Sequence, residues 1–532
     1  MHIFIVFVLS VVSWKNIARA NDPATDIQKR IEEICSNLQD STVRIRSGTD
    51  VFSGVLISRR GLALTVAHGL KTDASATVIF QSGRSIEARR IVVDDSSDVA
   101  LLSFAVESMP EVDWSIVTVV QGGPSEVGNI VLAGGLPARE SDGNTTVVRL
   151  GEILACDDTA IKTSCTLTSG DSGGPLVNSR GELIGLNRQI GIAAESNGHI
   201  ALPTIHRALK DTEDWKNLTQ QVHAERPPIL PNGVVRVPPA VVNAAGLLTV
   251  EIHGRNSKGV IAVRTCGVLL DDLHVATKLS EIASSNELQC HFADGSTIGG
   301  TLSKRDRPSD LAILKLESPC QSGHAIRATI AKSGSNSTLV GRVVYSATSP
   351  KDISFAGIVS RVEHEEPSLP ARFGATIQEV GKRVGIAGLS PNGSAVLAGL
   401  QVGDELLQID GIPASTLMTV GNLLKPTQPG DWIVLDVKRG ETELSVQAQM
   451  QHDPGQQFDK MEFLDGRVGR VSERRSSFRA IQHDVVIDPA ACGGPLLDID
   501  GNVIAINIAR RARESTLAIP IDIVLRFADL GP

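Results

Sequence analysis

Short runs of apolar residues, broken at regular intervals by turn formers, set the pattern of this chain. Runs at 42–45, 54–57, 63–66, 77–80, 85–93, 99–104 and 128–133 are rich in Val, Ile and Leu. Ser-Gly and Arg-Gly pairs separate them. The rhythm continues at 147–155, 161–167, 176–177, 183–186 and 199–202. Many short strands with such punctuation predict an all-β barrel or sandwich. Over this first stretch helix-compatible spacing is found in a polar segment at 22–38 and a patch at 204–209. Residues 212–240 change character. Glu225-Arg226-Pro227-Pro228-Ile229-Leu230-Pro231 and Pro238-Pro239 read as a linker.

Beyond the linker the strand pattern resumes, and its landmarks return in the same order. Cys266-Gly267-Val268-Leu269-Leu270 repeats Ser53-Gly54-Val55-Leu56-Ile57. Leu273-His274-Val275-Ala276-Thr277 is aligned with Leu64-Thr65-Val66-Ala67-His68. Ser309-Asp310-Leu311-Ala312 repeats Ser97-Asp98-Val99-Ala100. Ala491-Cys492-Gly493-Gly494-Pro495-Leu496 repeats Asp171-Ser172-Gly173-Gly174-Pro175-Leu176. Four landmarks in one order predict a duplicated domain. The longer gap before the last landmark of the second copy has room for one small inserted domain. Gly357-Ile358-Val359-Ser360 and Gly469-Arg470-Val471-Ser472 bracket it.

Composition narrows the setting. A chain of 532 residues needs several cores. With 3% aromatics, those cores must be built from Val, Ile, Leu and Ala. A net charge of −9 argues against nucleic acid as the main partner. The apolar run 3–14 ends near Ala18-Arg19-Ala20, the pattern of a signal peptide over residues 1–20. That predicts an exported protein, periplasmic or extracellular; the alternative is a buried or anchoring apolar N-terminus. The seven cysteines cannot all pair within the chain. Cys156 and Cys165 flank a polar turn and are either a hairpin staple or two separate buried thiols. No spacing looks like a zinc site, and no metal or organic cofactor is implied.

The first copy carries a set of residues suited to nucleophilic catalysis. His68 ends a strand-like run, Asp98 opens another, and Ser172 lies in Ser169-Gly170-Asp171-Ser172-Gly173-Gly174. A serine hydroxyl is a weak nucleophile until an imidazole removes its proton. A buried carboxylate must then fix the imidazole tautomer. The backbone N–H groups of Gly170 and Ser172 are the natural donors to an oxyanion.

Over residues 40–210 these motifs resemble chymotrypsin-fold serine proteases of the HtrA/Deg family. The likeness rests on Leu64-Thr65-Val66-Ala67-His68, Ser97-Asp98-Val99-Ala100-Leu101-Leu102 and Gly170-Asp171-Ser172-Gly173-Gly174-Pro175-Leu176. Gly181-Glu182-Leu183-Ile184-Gly185-Leu186-Asn187 and Ile200-Ala201-Leu202-Pro203 extend it. The resemblance implies paired six-stranded β-barrels with the triad between them, endopeptidase action on unfolded or exposed polypeptide, and a role in extracytoplasmic quality control. Two positions depart from familiar patterns. Asp171 replaces the usual Asn before the serine and is expected to bond locally. Thr166 stands where trypsin-like enzymes carry a basic-specificity Asp. With Leu167 and Ile190, Thr166 is the expected substrate pocket, taking small or medium apolar residues. Residues 21–40 lack the aromatics that often build the family's trimer, so homo-oligomerisation stays open.

Residues 365–452 resemble a PDZ domain of the HtrA type. The resemblance rests on Leu389-Ser390-Pro391-Asn392-Gly393-Ser394-Ala395, Ala398-Gly399-Leu400, Val402-Gly403-Asp404-Glu405-Leu406-Leu407 and Ile409-Asp410-Gly411. It implies capture of C-terminal peptides, with Arg372, Phe373, Gly374 and Ala375 as the carboxylate loop and a helix at 417–424 lining the groove.

In the second copy Asp310 is kept, Thr277 takes the place of the base and Cys492 that of the nucleophile. His274, three residues before Thr277, falls on the opposite strand face. The copy reads as degenerate and inactive, with a thiol-dependent site as the alternative. The expected architecture is mainly β: two chymotrypsin-like double β-barrel domains, at 27–213 and at 241–364 with 453–532, joined by a linker at 214–240. The second carries the inserted PDZ domain at 365–452. A peptide-binding scaffold or chaperone with a latent or inactive protease barrel is the competing reading.

Overall fold

The computed structural model describes residues 23–530, except 71–74, 107–113, 120–124, 139–143, 192, 194–195, 220–236, 256–258, 283–284, 307, 321–339, 355, 367–370, 382, 392, 426, 428–430, 453–477, 512 and 514. The expected signal peptide and the second bracketing motif at 469–472 lie outside the described residues.

The first copy starts with a helix, Pro23–Ser41. Its Ile31, Ile34, Cys35 and Leu38 recur at helical spacing and are buried. Six strands then close into a barrel, in spatial order Thr42–Ser47, Asp50–Ser58, Leu62–Thr65, Val99–Phe104, Ser85–Asp94 and Ala76–Ile79. A second sheet runs Pro175–Asn178, Ile130–Gly135, Val147–Cys156, Ala160–Thr163, Asn197–Ala201 and Glu182–Gln189. Its first and last members also pair, so this sheet closes too. Closure pairs the ring strands on both sides, and a short strand, Thr118–Val119, adds in parallel to Glu182–Gln189. A helix, Leu202–Leu209, packs on it, started by Pro203 near its N-terminus.

The second copy repeats this plan. After a helix, Pro239–Leu248, a barrel forms in the order Thr249–Arg255, Ile261–Leu269, His274–Lys278, Leu311–Leu316, Thr297–Asp306 and Glu287–His291. Its second sheet runs Val343–Ser349, Gly357–Glu366, Phe478–His483, Ser515–Pro520, Val503–Arg511 and Pro495–Asp498, closed by pairing of the first with the last. A helix, Ile521–Phe527, ends it. The expected linker is bordered by two helices, Glu213–Thr219 and Pro239–Leu248.

The inserted unit lies between Gly357–Glu366 and Phe478–His483, two strands that pair with each other. Their counterparts in the first copy, Val147–Cys156 and Ala160–Thr163, are joined by residues 157–159 alone. The insertion therefore sits at the tip of a hairpin, where a sheet tolerates added chain best. It forms its own sheet, Ala375–Val380, Arg383–Leu389, Glu405–Ile409, Trp432–Arg439 and Thr442–Gln449, over a separate core that includes Phe373, Val384, Leu406 and Leu435.

The two copies share a continuous core. Strand Val147–Cys156 packs on Gly357–Glu366. The Gln28 side chain bridges from the first helix, donating to the Gly341 carbonyl (3.1 Å) and accepting the Val343 N–H (2.8 Å). All seven cysteines are free. Cys156 is half-buried and donates to the Ser125 carbonyl, and Cys165 is fully buried; the two are separate thiols, of which only the second is buried as expected.

Candidate active site

His68 lies just past strand Leu62–Thr65, and the Ala67 N–H before it donates to the Asp98 carbonyl. Asp98 has φ 59°, a left-handed turn that Asp adopts more readily than most residues. The turn aims its buried carboxylate at His68. Nδ1 of His68 lies 2.9 and 3.0 Å from the two carboxylate oxygens, and the His68 backbone N–H donates to Oδ1 at 2.9 Å. An ionised carboxylate only accepts, so Nδ1 carries the proton and Nε2 is left able to accept one. The hydrogen bond to Asp98 raises the His68 pKa; burial and the charge of Arg188 oppose that. For Asp98, burial pushes the pKa up, but the His68 bonds and the charges of His68 and Arg188 outweigh it, and the net direction is down. The two shifts agree on an ion-pair-like couple.

Ser172 sits in a turn that only glycines can build. Gly170 has φ 96° and Gly173 φ 86°. A Cβ on Gly170 would come within 2.4 Å of the Ala138 nitrogen, and one on Gly173 within 2.2 Å of the Ser53 carbonyl oxygen. The turn is pinned from outside. The Ser169 carbonyl accepts from Ala138 N–H (2.8 Å), and the Gly170 carbonyl accepts from Ser53 Oγ (2.7 Å). Among the described residues, the N–H groups of Gly170 and Ser172 have no backbone acceptor. Asp171 bonds locally: its carboxylate accepts from Thr168 N–H (2.8 Å) and pairs with Arg149 (3.1 Å), both side chains being fully buried.

One residue here escaped the sequence reading. Arg188 Nε donates to Asp98 Oδ2 at 3.1 Å, and the Arg188 carbonyl accepts the Ser172 hydroxyl at 3.4 Å. No hydrogen bond joins Ser172 to His68 among the described residues. The available signal was position: Arg188 directly follows the motif ending in Asn187. It also lines an open cavity of about 390 Å³ with Asp94, Thr159 and Arg207. Because its charge holds the His68 pKa down, Arg188→Leu is expected to raise that pKa. An NMR titration of the His68 ring checks this, and an unchanged or lower midpoint would contradict it.

Thr166 is buried. Leu167 is 1% exposed and belongs to the core with Val131, Ala133 and Ile153. Ile190 is partly buried against that same cluster.

In the inserted unit, strand Ala375–Val380 is the last in its sheet and lies beside a helix, Leu417–Leu424. The carbonyls of Arg372, Phe373 and Gly374 accept from Ser394 Oγ, Ala395 N–H and Ser390 N–H. Phe373 is buried in the unit's core. Gly374 has φ 75°, and a Cβ on it would lie 2.8 Å from Gly393 Cα.

Comparison with known proteins identifies both units. A family model for the trypsin-like peptidase domain matches residues 52–186, and one for the PDZ domain matches 362–450. The chain carries a trypsin-like peptidase domain and a PDZ domain. It is 27% identical over 184 residues to serine endoprotease DegS of Haemophilus influenzae, covering 33% of this chain and 52% of that one. It is 36% identical over 152 residues to a probable periplasmic serine endoprotease, DegP-like, of Ectopseudomonas mendocina, covering 28% and 31%. A probable periplasmic serine protease do/HhoA-like of Haemophilus influenzae aligns over 411 residues at 25% identity, covering 73% and 76%. The chain thus spans about half the length of the first of these relatives and a third of the second. The serine endoprotease from Yersinia pestis aligns at 18% identity over 80% of this chain, with a TM-score of 0.29.

The peptidase domain gives a template for its second copy and corrects one expectation. Thr277 is not the counterpart of His68. Thr277 pairs with Ala312 and bonds the Cys266 carbonyl (2.6 Å), as Thr65 pairs with Ala100 and bonds the Ser53 carbonyl (2.7 Å). The match is therefore three residues further on. Ser280 occupies the place of the base, its N–H on Asp310 Oδ1 (2.8 Å) as the His68 N–H is on Asp98. Asp310 repeats the left-handed turn with φ 58°. Its carboxylate is taken by Ser280 Oγ and by the buried Lys278 amine, both at 2.8 Å. Ala490 stands where the peptidase domain needs Gly170. Cys492 is 2% exposed, and burial above all pushes its thiol up to about 11.

Proposed function

We propose that the chain is an exported serine endopeptidase whose chemistry resides in the first copy. The observation that carries this is the His68–Asp98 pair beside a serine held in an externally pinned glycine turn. In the resting arrangement the Ser172 hydroxyl rests on the Arg188 carbonyl. On substrate binding it turns to His68 Nε2. Oγ attacks the peptide carbonyl as Nε2 takes its proton, and Asp98 stabilises the imidazolium. The carbonyl oxygen becomes an oxyanion and accepts from Gly170 and Ser172 N–H. His68 then passes the proton to the leaving amine as the C–N bond breaks. A water, deprotonated by His68, releases the acyl group by the same steps in reverse.

The remaining parts follow from this reading. Export rests on the signal-like N-terminus and on relatives named as periplasmic; among the described residues no helix is long and apolar enough to cross a membrane. The groove between Ala375–Val380 and Leu417–Leu424 takes C-terminal peptides, with Arg372, Phe373, Gly374 and Ala375 at its closed end. Substrates are unfolded or exposed polypeptides, as quality control requires. The second copy is catalytically inactive: it lacks the imidazole, its carboxylate is neutralised by Lys278, and its thiol is buried. Thr166 in place of an acidic residue predicts cleavage after small or medium apolar side chains. A peptide-library profile dominated by Lys or Arg would contradict that. Loss of peptide hydrolysis on Ser172→Ala, with the fold retained by circular dichroism, tests the reading as a whole.

A further inference from the structure

The two copies differ at one buried position that faces both. In the peptidase domain Ser164, one residue past strand Ala160–Thr163, accepts the Glu152 N–H through Oγ at 2.9 Å. The matching position in the second copy is Asp484, one residue past Phe478–His483. Asp484 Oδ1 accepts the Ile358 N–H at 2.6 Å, and Ile358 is the counterpart of Glu152: each is the strand partner of a matched residue, Val343 and Ile130. Aspartate has an oxygen that serine lacks. Oδ2 of Asp484 reaches out of its own copy and accepts the Leu150 N–H of the peptidase domain, also at 2.6 Å.

That contact connects to the serine turn through one buried ion pair. Leu150 follows Arg149, whose fully buried guanidinium pairs with Asp171, and Asp171 adjoins Ser172. A second brace comes from Arg513, which donates to the Ala193 carbonyl at 2.9 Å, in the segment that follows Arg188 and Ile190. A buried carboxyl is costly unless its oxygens are hydrogen-bonded; burial pushes the Asp484 pKa up to about 7, and the bonds from the Ile358 and Leu150 N–H groups act against that rise. Asp484 meets that requirement only when the two copies are docked.

We propose that Asp484, on the inactive copy, is a positioning residue for the Ser172 turn of the peptidase domain. It acts by fixing Leu150 and, through Arg149, Asp171. The duplicated domain is in this account a built-in brace, retained after its own chemistry was lost. The proposal rests on the peptidase reading given above.

The test is Asp484→Ser in the full chain. A serine keeps the bond that Ser164 makes in the first copy and is too short to reach Leu150. The readouts are the rate of fluorophosphonate labelling of Ser172, kcat and KM on a peptide substrate, and amide hydrogen exchange in 147–156 and 168–174. The expected result is a folded protein whose labelling rate and kcat fall about tenfold or more with KM nearly unchanged, and whose exchange in 168–174 is faster. Unchanged exchange in the folded variant overturns the proposal. So does faster exchange with a labelling rate within about twofold of wild type, because the brace would then hold structure without serving the chemistry. If Asp484→Ser does not fold, Asp484→Asn, which keeps one carbonyl oxygen, is judged by the same criteria. Wild-type protein that does not label counts against the peptidase reading, while exchange, which needs no turnover, still decides the positioning.

Discussion

Asp98→Asn is expected to lower kcat by about 10⁴-fold with little change in KM. The carboxylate serves three donors at once: the His68 ring, the His68 backbone N–H and Arg188 Nε. An asparagine has one oxygen. If it accepts the backbone N–H, its NH₂ group faces Nδ1 and Arg188. Nδ1 must then become an acceptor, the proton moves to Nε2, and the base is lost. If the amide flips, its NH₂ opposes the backbone N–H and the turn at Asp98 loosens. Either way the imidazole is in the wrong state or the wrong place. Steady-state kinetics on a peptide substrate check the effect, with a thermal melt to show that the fold survives. A loss smaller than about tenfold would mean that Asp98 does not set the tautomer.

Gly170→Ala is the second large effect. Its φ of 96° is strained for any residue with a Cβ, and that Cβ would lie 2.4 Å from the Ala138 nitrogen and 2.7 Å from the Leu136 carbonyl oxygen. Both atoms are backbone and cannot rotate away. The turn must shift, breaking the bond from Ala138 to the Ser169 carbonyl that fixes the direction of the Gly170 N–H. The expected loss in kcat is about 10²–10³-fold, the usual cost of one oxyanion donor. A strained conformation of this kind also costs on the order of 1–3 kcal/mol of stability. The second copy has already made this change, with Ala490 at the matching position, and its thiol lies buried beside it.

Much of the fold was legible because it is written locally. Alternating apolar runs became the strands of both barrels, and the four landmarks marked a true duplication. His68, Asp98 and Ser172, the proposed triad, each sit in a short local motif, which is why the sequence alone could nominate them. What failed was register. Leu-Thr-Val-Ala-His and Leu-His-Val-Ala-Thr look alike, yet the strand pairing aligns Thr277 with Thr65 and puts Ser280 opposite Asp310. Only the partners across the sheet decide such a shift. Leu167, expected in the substrate pocket with Thr166 and Ile190, is buried beside Val131, Ala133 and Ile153, and burial of this kind is not written in its local sequence. Arg188 and Asp484 were invisible for a further reason. Each acts on a residue far away in sequence, Arg188 on Asp98 and Asp484 on Leu150, and no local pattern records those contacts.

A single competent nucleophile, Ser172, is proposed for this chain, in the first copy. Labelling of the full-length protein with a fluorophosphonate probe, followed by peptide mapping, tests it most directly. One modified residue, Ser172, is expected, with labelling abolished by Ser172→Ala and unaffected by Cys492→Ala. Labelling that persists in Ser172→Ala, or a wild-type protein that never labels, would contradict it.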